Sequence, residues 1–277
     1  MIFIRHSFMS LLRLLRAFWL RDWQEQTSYR AAMLFSFVGI FFRAFTFFFI
    51  AQLIGQPAQQ ALPEYGGDYF AFVLLGIAFN SYFDVGLTSF ARSLRQAQTT
   101  GTLEAILMTP TPVGRVVLGS AMWSYSFTTL RVVVYLILGF FLGLDLSQAN
   151  APLALLGLLL SIAAFASIGI FAASIIMVIK RGDPITSLIS SVSALLGGIY
   201  YPITLLPDWL QPLSYFLPIT YGLNLMRQTL LNGASWTAVQ NDFLILLGFT
   251  AILLPISLFT FRLAVNRARR DGSLAQY

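Results

Sequence analysis

The chain has 277 residues, 57% of them hydrophobic and 15% aromatic against 10% charged, and a mean hydropathy of +0.76, so too little polar surface exists to coat a soluble globule. With no cysteine and one histidine, His6, disulfide scaffolds, Cys-ligated metal centres and paired-His zinc motifs are excluded, and no metal site is expected. A net charge of +6 would suggest nucleic acid in a soluble protein, but in an integral membrane protein the cations belong to the loops between spans, and no nucleic-acid partner is expected.

Residues 1–30 come first. Phe8, Leu11, Leu12, Leu15 and Trp19 recur at helical spacing with Arg13 and Arg16 on another face, the pattern of an amphipathic helix lying in the cytoplasmic headgroup layer. A basic retention flank without a fixed helix is the simpler alternative. Arg13, Arg16 and Arg21 interrupt any signal-peptide core, and no small-residue cleavage site follows.

Six apolar stretches, at about 31–54, 69–90, 116–143, 152–179, 185–206 and 243–264, are each long enough to cross a bilayer as a helix of roughly 20 residues. They are too continuous for barrel strands. The expected fold is therefore an all-α membrane bundle of six transmembrane helices, one domain over 1–277. Fourteen of the seventeen cations fall before the first span, between the second and third, after the fourth and from the last turn of the sixth onward, while the loops 55–68 and 144–151 have none. That asymmetry puts both termini in the cytoplasm.

Three ionisable residues lie within spans and could line a path: Arg43, Asp84 and Arg131. At 1.5 Å per residue the two arginines lie roughly 18–22 Å from the cytoplasmic ends of their spans and Asp84 roughly 9 Å from its own. Two readings stay open, an ion pair of Asp84 with Arg43 or Arg131, and arginines that snorkel to the nearer interface. The phenylalanines Phe41, Phe42, Phe47, Phe48 and Phe49 read as lipid-facing or packing surface.

The cytoplasmic loop 91–115 contains a short helix signal. Thr99, Thr100 and Gly101 break the helix leaving the membrane, Thr102 can cap a new one with Glu104 in its first turn, and Pro110 stops it. Leu103, Ile106 and Leu107 form an apolar face where no bilayer covers it. That face either enters a partner's groove or folds back onto the N-terminal helix.

After the fifth stretch Pro202, Pro207, Pro212 and Pro218 are interleaved with Tyr200, Tyr201, Trp209 and Tyr215. Such a segment forms short helices at the outer surface that can dip back into the membrane, and Gly197 and Gly198 permit a bend or close packing. Tyr221 to Leu231 reads as an amphipathic helix along the outer interface, carrying Arg227; residues 207–240 are taken as extracytoplasmic. No phosphate-binding loop is present, since the only lysine, Lys180, lies between Ile179 and Arg181. ATP hydrolysis by this chain is not expected, nor any cofactor bound by it.

Two segments carry a family resemblance. Gly101-Thr102-Leu103-Glu104 continuing to Thr109-Pro110, and Gly198 through Pro202, Pro207, Trp209, Pro218 and Tyr221 to Arg227, resemble the permease subunits of ABC-2 type exporters. The resemblance implies a dimer, of identical or related permease chains, working with two copies of a separate ATPase that binds ATP and magnesium. It implies that 102–109, with Gly101, Thr102, Leu103, Glu104, Ile106 and Leu107, is the coupling helix, that the N-terminal segment is the connecting helix, and that 199–220 caps the path with outer re-entrant helices. Many members carry an acidic run before the coupling segment, whereas Arg92 to Thr100 holds no acid, which removes any salt bridge those acids would supply. The implied function is ATP-driven export, across the cytoplasmic (inner) membrane, of an amphipathic, lipid-like or drug-like molecule. Alternatives are a polysaccharide or glycolipid permease of the same family and an ATP-independent channel.

Overall fold

The computed structural model describes residues 13, 16–24, 27–28, 30–99, 113–179 and 183–270. All regular structure among them is helical: α1 (Arg30–Ile54), α2 (Gln56–Ala61), α3 (Tyr69–Thr99), α4 (Val113–Phe141), α5 (Ala151–Ile179), α6 (Asp183–Leu196), α7 (Gln211–Ser214), α8 (Pro218–Leu231) and α9 (Trp236–Arg270), with short 3-10 turns at Pro63–Tyr65 and Ile203–Leu205. Five are long and apolar enough to cross a membrane, namely α1, α3, α4, α5 and α9. Leu-, Ile- and Phe-rich runs favour this outcome because only a helix satisfies its backbone polar groups within one segment in lipid. Local chemistry sets the starts. Asp68 Oδ1 accepts from the amides of Phe70 (2.8 Å) and Ala71 (3.2 Å), capping α3, and Pro218 opens α8, where its missing N–H costs nothing.

The fifth apolar stretch differs from the expectation of a span at 185–206. Its helix, α6, has 14 residues, about 21 Å of rise against a hydrocarbon core of about 30 Å. Gly198 ends the run with φ +77°, a left-handed conformation that glycine adopts without strain. Hydropathy continues across this break, which is why the stretch reads as one span in the sequence.

The expectation for Tyr221 to Leu231 is also corrected. The helix does not lie along the outer interface: Ile219, Gly222, Leu223, Leu225, Arg227 and Thr229 are buried. It is wedged against α5, α9 and α3. Leu225 meets Gly157 of α5, and Gly222 meets Phe79 of α3.

At the centre stands α3, packed on α4 and α5 with α1, α6 and α8 along its other sides, while α9 lies against α5. Where α3 and α5 cross, a side chain on Gly169 would strike the Gly86 carbonyl oxygen, so the backbones touch in the small-residue manner of membrane helices. The periphery is apolar and uncovered. Only Ile40 and Ala44 of α1 are buried, and Phe42 is 72% exposed, in keeping with a lipid-facing surface. The loops at one end of the bundle bond to each other: Asn150 Nδ2 donates to the Ala234 carbonyl (3.1 Å), and Asn232 Nδ2 to that of Glu64 (2.7 Å). Both cation-free loops are therefore at that end.

The helical stretch 16–24 packs on α4. Trp19 and Trp23 stack at 5.4 Å and both meet Trp123 edge-on, at 5.6 and 5.3 Å.

Candidate functional site

Every fourth residue of α3 from Phe72 to Arg92, that is Phe72, Gly76, Asn80, Asp84, Thr88 and Arg92, belongs to a row that turns by about 40° at each step and so winds around the helix over a rise of about 30 Å. Asn80, Asp84 and Thr88 are its half-buried polar middle.

At the end of α3 near Phe72 lies Arg227, which is 3% exposed. Its Nη1 donates to the Gly198 carbonyl (2.8 Å), Nη2 to those of Ile199 (3.0 Å) and Phe72 (3.1 Å), and Nε to Phe72 again (3.2 Å). No carboxylate takes part among the described residues; the planar fork is satisfied by the Gly198 and Ile199 carbonyls of the turn after α6 and by the second lone pair of the Phe72 carbonyl, whose first lies in the helical ladder of α3. Burial pulls its pKa down to about 9, so the guanidinium is still charged at neutral pH. Gly76 makes this possible, because a Cβ there would strike the Ile199 carbonyl oxygen and crowd Arg227 Nη2.

Beside Arg227 opens a chamber of about 570 Å³ whose walls include Tyr65, Pro202, Tyr221, Asn224 and Asp242. Tyr65 donates to Asn224 Oδ1 (3.0 Å) and Asn224 Nδ2 to Asp242 Oδ2 (2.6 Å). Burial pushes the Tyr65 hydroxyl above its ordinary range, and the Arg227 charge works against that rise.

Halfway along, Asp84 accepts from Ser190 Oγ of α6 (2.7 Å) and from Asn80 Nδ2 (3.0 Å). Arg43 and Arg131 are within electrostatic reach of its carboxylate, yet neither forms an ion pair with it among the described residues. Arg131 Nε and Asn80 Oδ1 are buried without a hydrogen-bond partner. The structure thus brings together the three intramembrane charges singled out in the sequence, but hydroxyl and amide donors, rather than an arginine, hold the acid.

At the opposite end of α3 lies a cleft of about 410 Å³ between α3, α5 and α6, lined by Thr88, Arg92, Arg95, Ser187, Ser190 and Ser191 among others. Its roof residue, Ser190, is the one that donates to Asp84.

The remaining candidates divide. Tyr200 stacks on Phe47 of α1 at 5.8 Å, Tyr201 donates to the Leu195 carbonyl (2.6 Å) and Tyr221 to that of Tyr215 (3.0 Å). Pro202 and Pro218 are buried, while Pro207 and Trp209 are exposed. Gly101, Thr102, Leu103, Glu104, Ile106 and Leu107 lie outside the described residues, between the ends of α3 and α4. Sequence reasoning missed Tyr65, Asn224, Asp242 and Ser190. Asp242 lies just before the sixth apolar stretch, where its position at the start of a span was the available signal.

Five long apolar helices with an apolar, uncovered periphery and polar groups gathered inside define a multi-pass membrane protein. The sequence model of the ABC-2 type transporter family matches residues 11–231, and the chain belongs to that family. It is similar to the inner membrane transport permease YhhJ of Escherichia coli (strain K12), at 27% identity over 170 residues, 60% of this chain and 45% of that protein, and to its Shigella flexneri counterpart with the same figures. The chain thus spans a little under half the length of these curated relatives.

Proposed function

We propose that the chain is the membrane subunit of an ATP-driven exporter that moves an amphipathic, lipid-like or drug-like molecule outward across the cytoplasmic membrane. The observation that supports this best is the set of half-buried polar groups on the central helix α3, Asn80, Asp84 and Thr88, with Asp84 hydrogen-bonded to Ser190 of α6, in a bundle whose outside is apolar. Both termini are cytoplasmic in this reading, α6 with the segment up to Tyr221 completes a sixth, broken crossing, and α7 and α8 are the re-entrant elements that cap the path.

Two permease chains and two ATPase subunits make the working unit. The ATPase holds ATP and magnesium and meets residues 102–109 through Leu103, Ile106 and Leu107. Exposed Leu188 and Leu195 of α6, with the sparsely covered α1, offer the apolar surface for the second permease chain. ATP-driven closure of the ATPase pair pushes the coupling segments and switches the helices between two rigid packings. Reconstituted with its ATPase, the chain should raise ATP hydrolysis when an amphipathic substrate is added and move that substrate to the opposite leaflet. Transfer that proceeds equally without ATP would overturn this reading in favour of a channel.

A further inference from the structure

We propose that the chamber beside Arg227 is a binding site for an organic ammonium group, held between Asp242 and the tyrosine rings of the walls. The site names the charge of what is moved, and rests on the exporter reading for its biological meaning but not for its chemistry. A volume of about 570 Å³ is that of a small-molecule site. Tyr65, Tyr215 and Tyr221 line it, and aromatic faces attract an ammonium.

Hydrogen bonding leaves the buried and half-buried groups of the chamber able to accept rather than to donate. The Tyr65 hydroxyl is spent on Asn224 Oδ1 (3.0 Å), that of Tyr221 on the Tyr215 carbonyl (3.0 Å) and that of Thr220 on the Ser214 carbonyl (2.8 Å). Arg227 lies on the Phe72 ring and commits four of its five N–H donors to backbone carbonyls. Asp242 takes one donor, Asn224 Nδ2 at its Oδ2 (2.6 Å), and its Oδ1 accepts from no described residue.

Charge points the same way. The lining holds two carboxylates, Glu64 and Asp242, against the single guanidinium of Arg227, and neither carboxylate forms an ion pair among the described residues. All three charges are within electrostatic reach of the Tyr65 hydroxyl. Every lining residue comes from 55–68 or 197–242, and over those segments the sequence has four acids, Glu64, Asp68, Asp208 and Asp242, and no cation except Arg227. A metal ion fits the site less well, since it draws several oxygen ligands to one point and no group of three or more His, Cys, Asp or Glu side chains is gathered among the described residues.

The test uses the full chain in a non-ionic maltoside detergent at neutral pH, with binding of radiolabelled dodecyltrimethylammonium read against its equally tailed, uncharged counterpart dodecyldimethylamine oxide. The expected result is a preference for the cation of about tenfold or more, the size of one desolvated ammonium–ring contact. Asp242→Asn should abolish the preference and Asp242→Glu keep most of it. Tyr221→Phe, which keeps the ring, should bind as the native chain does, while Tyr221→Leu should bind more weakly. Asp145→Asn with Asp208→Asn, which removes carboxylates outside the lining, should leave the preference intact. Equal affinity for the two probes, native preference in a monodisperse Asp242→Asn variant, or equal loss in the Asp145/Asp208 variant would overturn the proposal. If Asp242→Asn does not fold, the Tyr221 pair decides, and undiminished binding by the Leu variant overturns the site. Competition by choline would identify a small soluble amine as the ligand; competition only by tailed ammonium compounds would identify a lipid-like one. The exporter reading fails separately: a chain that captures an ATPase yet shows no ammonium preference sinks the chamber site alone, and the converse sinks ATP coupling alone.

Discussion

Arg227 grips Phe72 twice: its guanidinium carbon sits 3.4 Å from the centroid of the Phe72 ring while its Nε and Nη2 both donate to the Phe72 carbonyl. One residue of α3 therefore supplies both an aromatic face and an acceptor, and the remaining donors fasten Gly198 and Ile199. Arg227 is the pin that joins α8, the turn after α6 and the outer end of α3.

Arg227→Ala should therefore be among the most damaging single substitutions, leaving the buried Gly198 and Ile199 carbonyls without this donor at about 1–3 kcal/mol each where water cannot replace it, while the Phe72 carbonyl keeps its place in the helical ladder. Arg227→Lys should recover only part, because an ammonium cannot present a planar fork. Thermal unfolding in detergent checks the order wild type, Lys, Ala. A Lys variant as stable as wild type would show that charge alone, without the fork, holds the segment.

Two glycine substitutions separate close approach from mere helix propensity. Gly76→Ala forces a methyl group into the Ile199 carbonyl and should cost about 1–3 kcal/mol as overpacking does. Gly248→Ala meets nothing within 4 Å and should be neutral or stabilise by about 0.5–1 kcal/mol. Melting midpoints of the two variants check this, and equal effects would contradict the packing described for α3 and the turn after α6.

A double-mutant cycle decides what holds Asp84. Asp84→Asn with Ser190→Ala should show a coupling of about 1–3 kcal/mol, as expected of a hydrogen bond to a charged group. Asp84→Asn with Arg43→Gln should show a smaller one, since those side chains do not form an ion pair. The reverse order, measured by unfolding, would restore the Asp84–Arg43 pair.

The three tryptophans predict a local change. Removing Trp123 deletes its stack on Phe127 within α4 and the two edge-on contacts to Trp19 and Trp23, the latter worth about 0.5–1.5 kcal/mol each, so Trp123→Ala should loosen the stretch 16–24 from α4. Trypsin should then cleave at Arg16 or Arg21 faster than in the wild type while the remaining bundle stays intact; unchanged cleavage would show that other contacts hold this helix.

How much of this was legible beforehand follows from the physics of each signal. Long apolar runs read correctly as α1, α3, α4, α5 and α9 because length and composition suffice there. The fifth stretch misled because hydropathy averages over Gly197 and Gly198, whereas one left-handed residue ends the helix. Asp84, Arg43 and Arg131 stood out because charge within an apolar run is costly and rare. Arg227 was misplaced at the surface because its acceptors are backbone carbonyls, which leave no trace in the sequence. Tyr65, Asn224 and Asp242 come from three separate elements, and only the fold brings them to one chamber.

The central claim is coupling to an ATPase, and the most direct measurement is affinity purification of the tagged chain from its native host under gentle extraction, with Leu103, Ile106 and Leu107 native or all changed to Asp. A soluble ATPase should co-purify with the native chain and be lost from the triple variant while the chain itself remains in the membrane. Recovery of the chain alone, with the triple variant fully active in cells, would contradict the account.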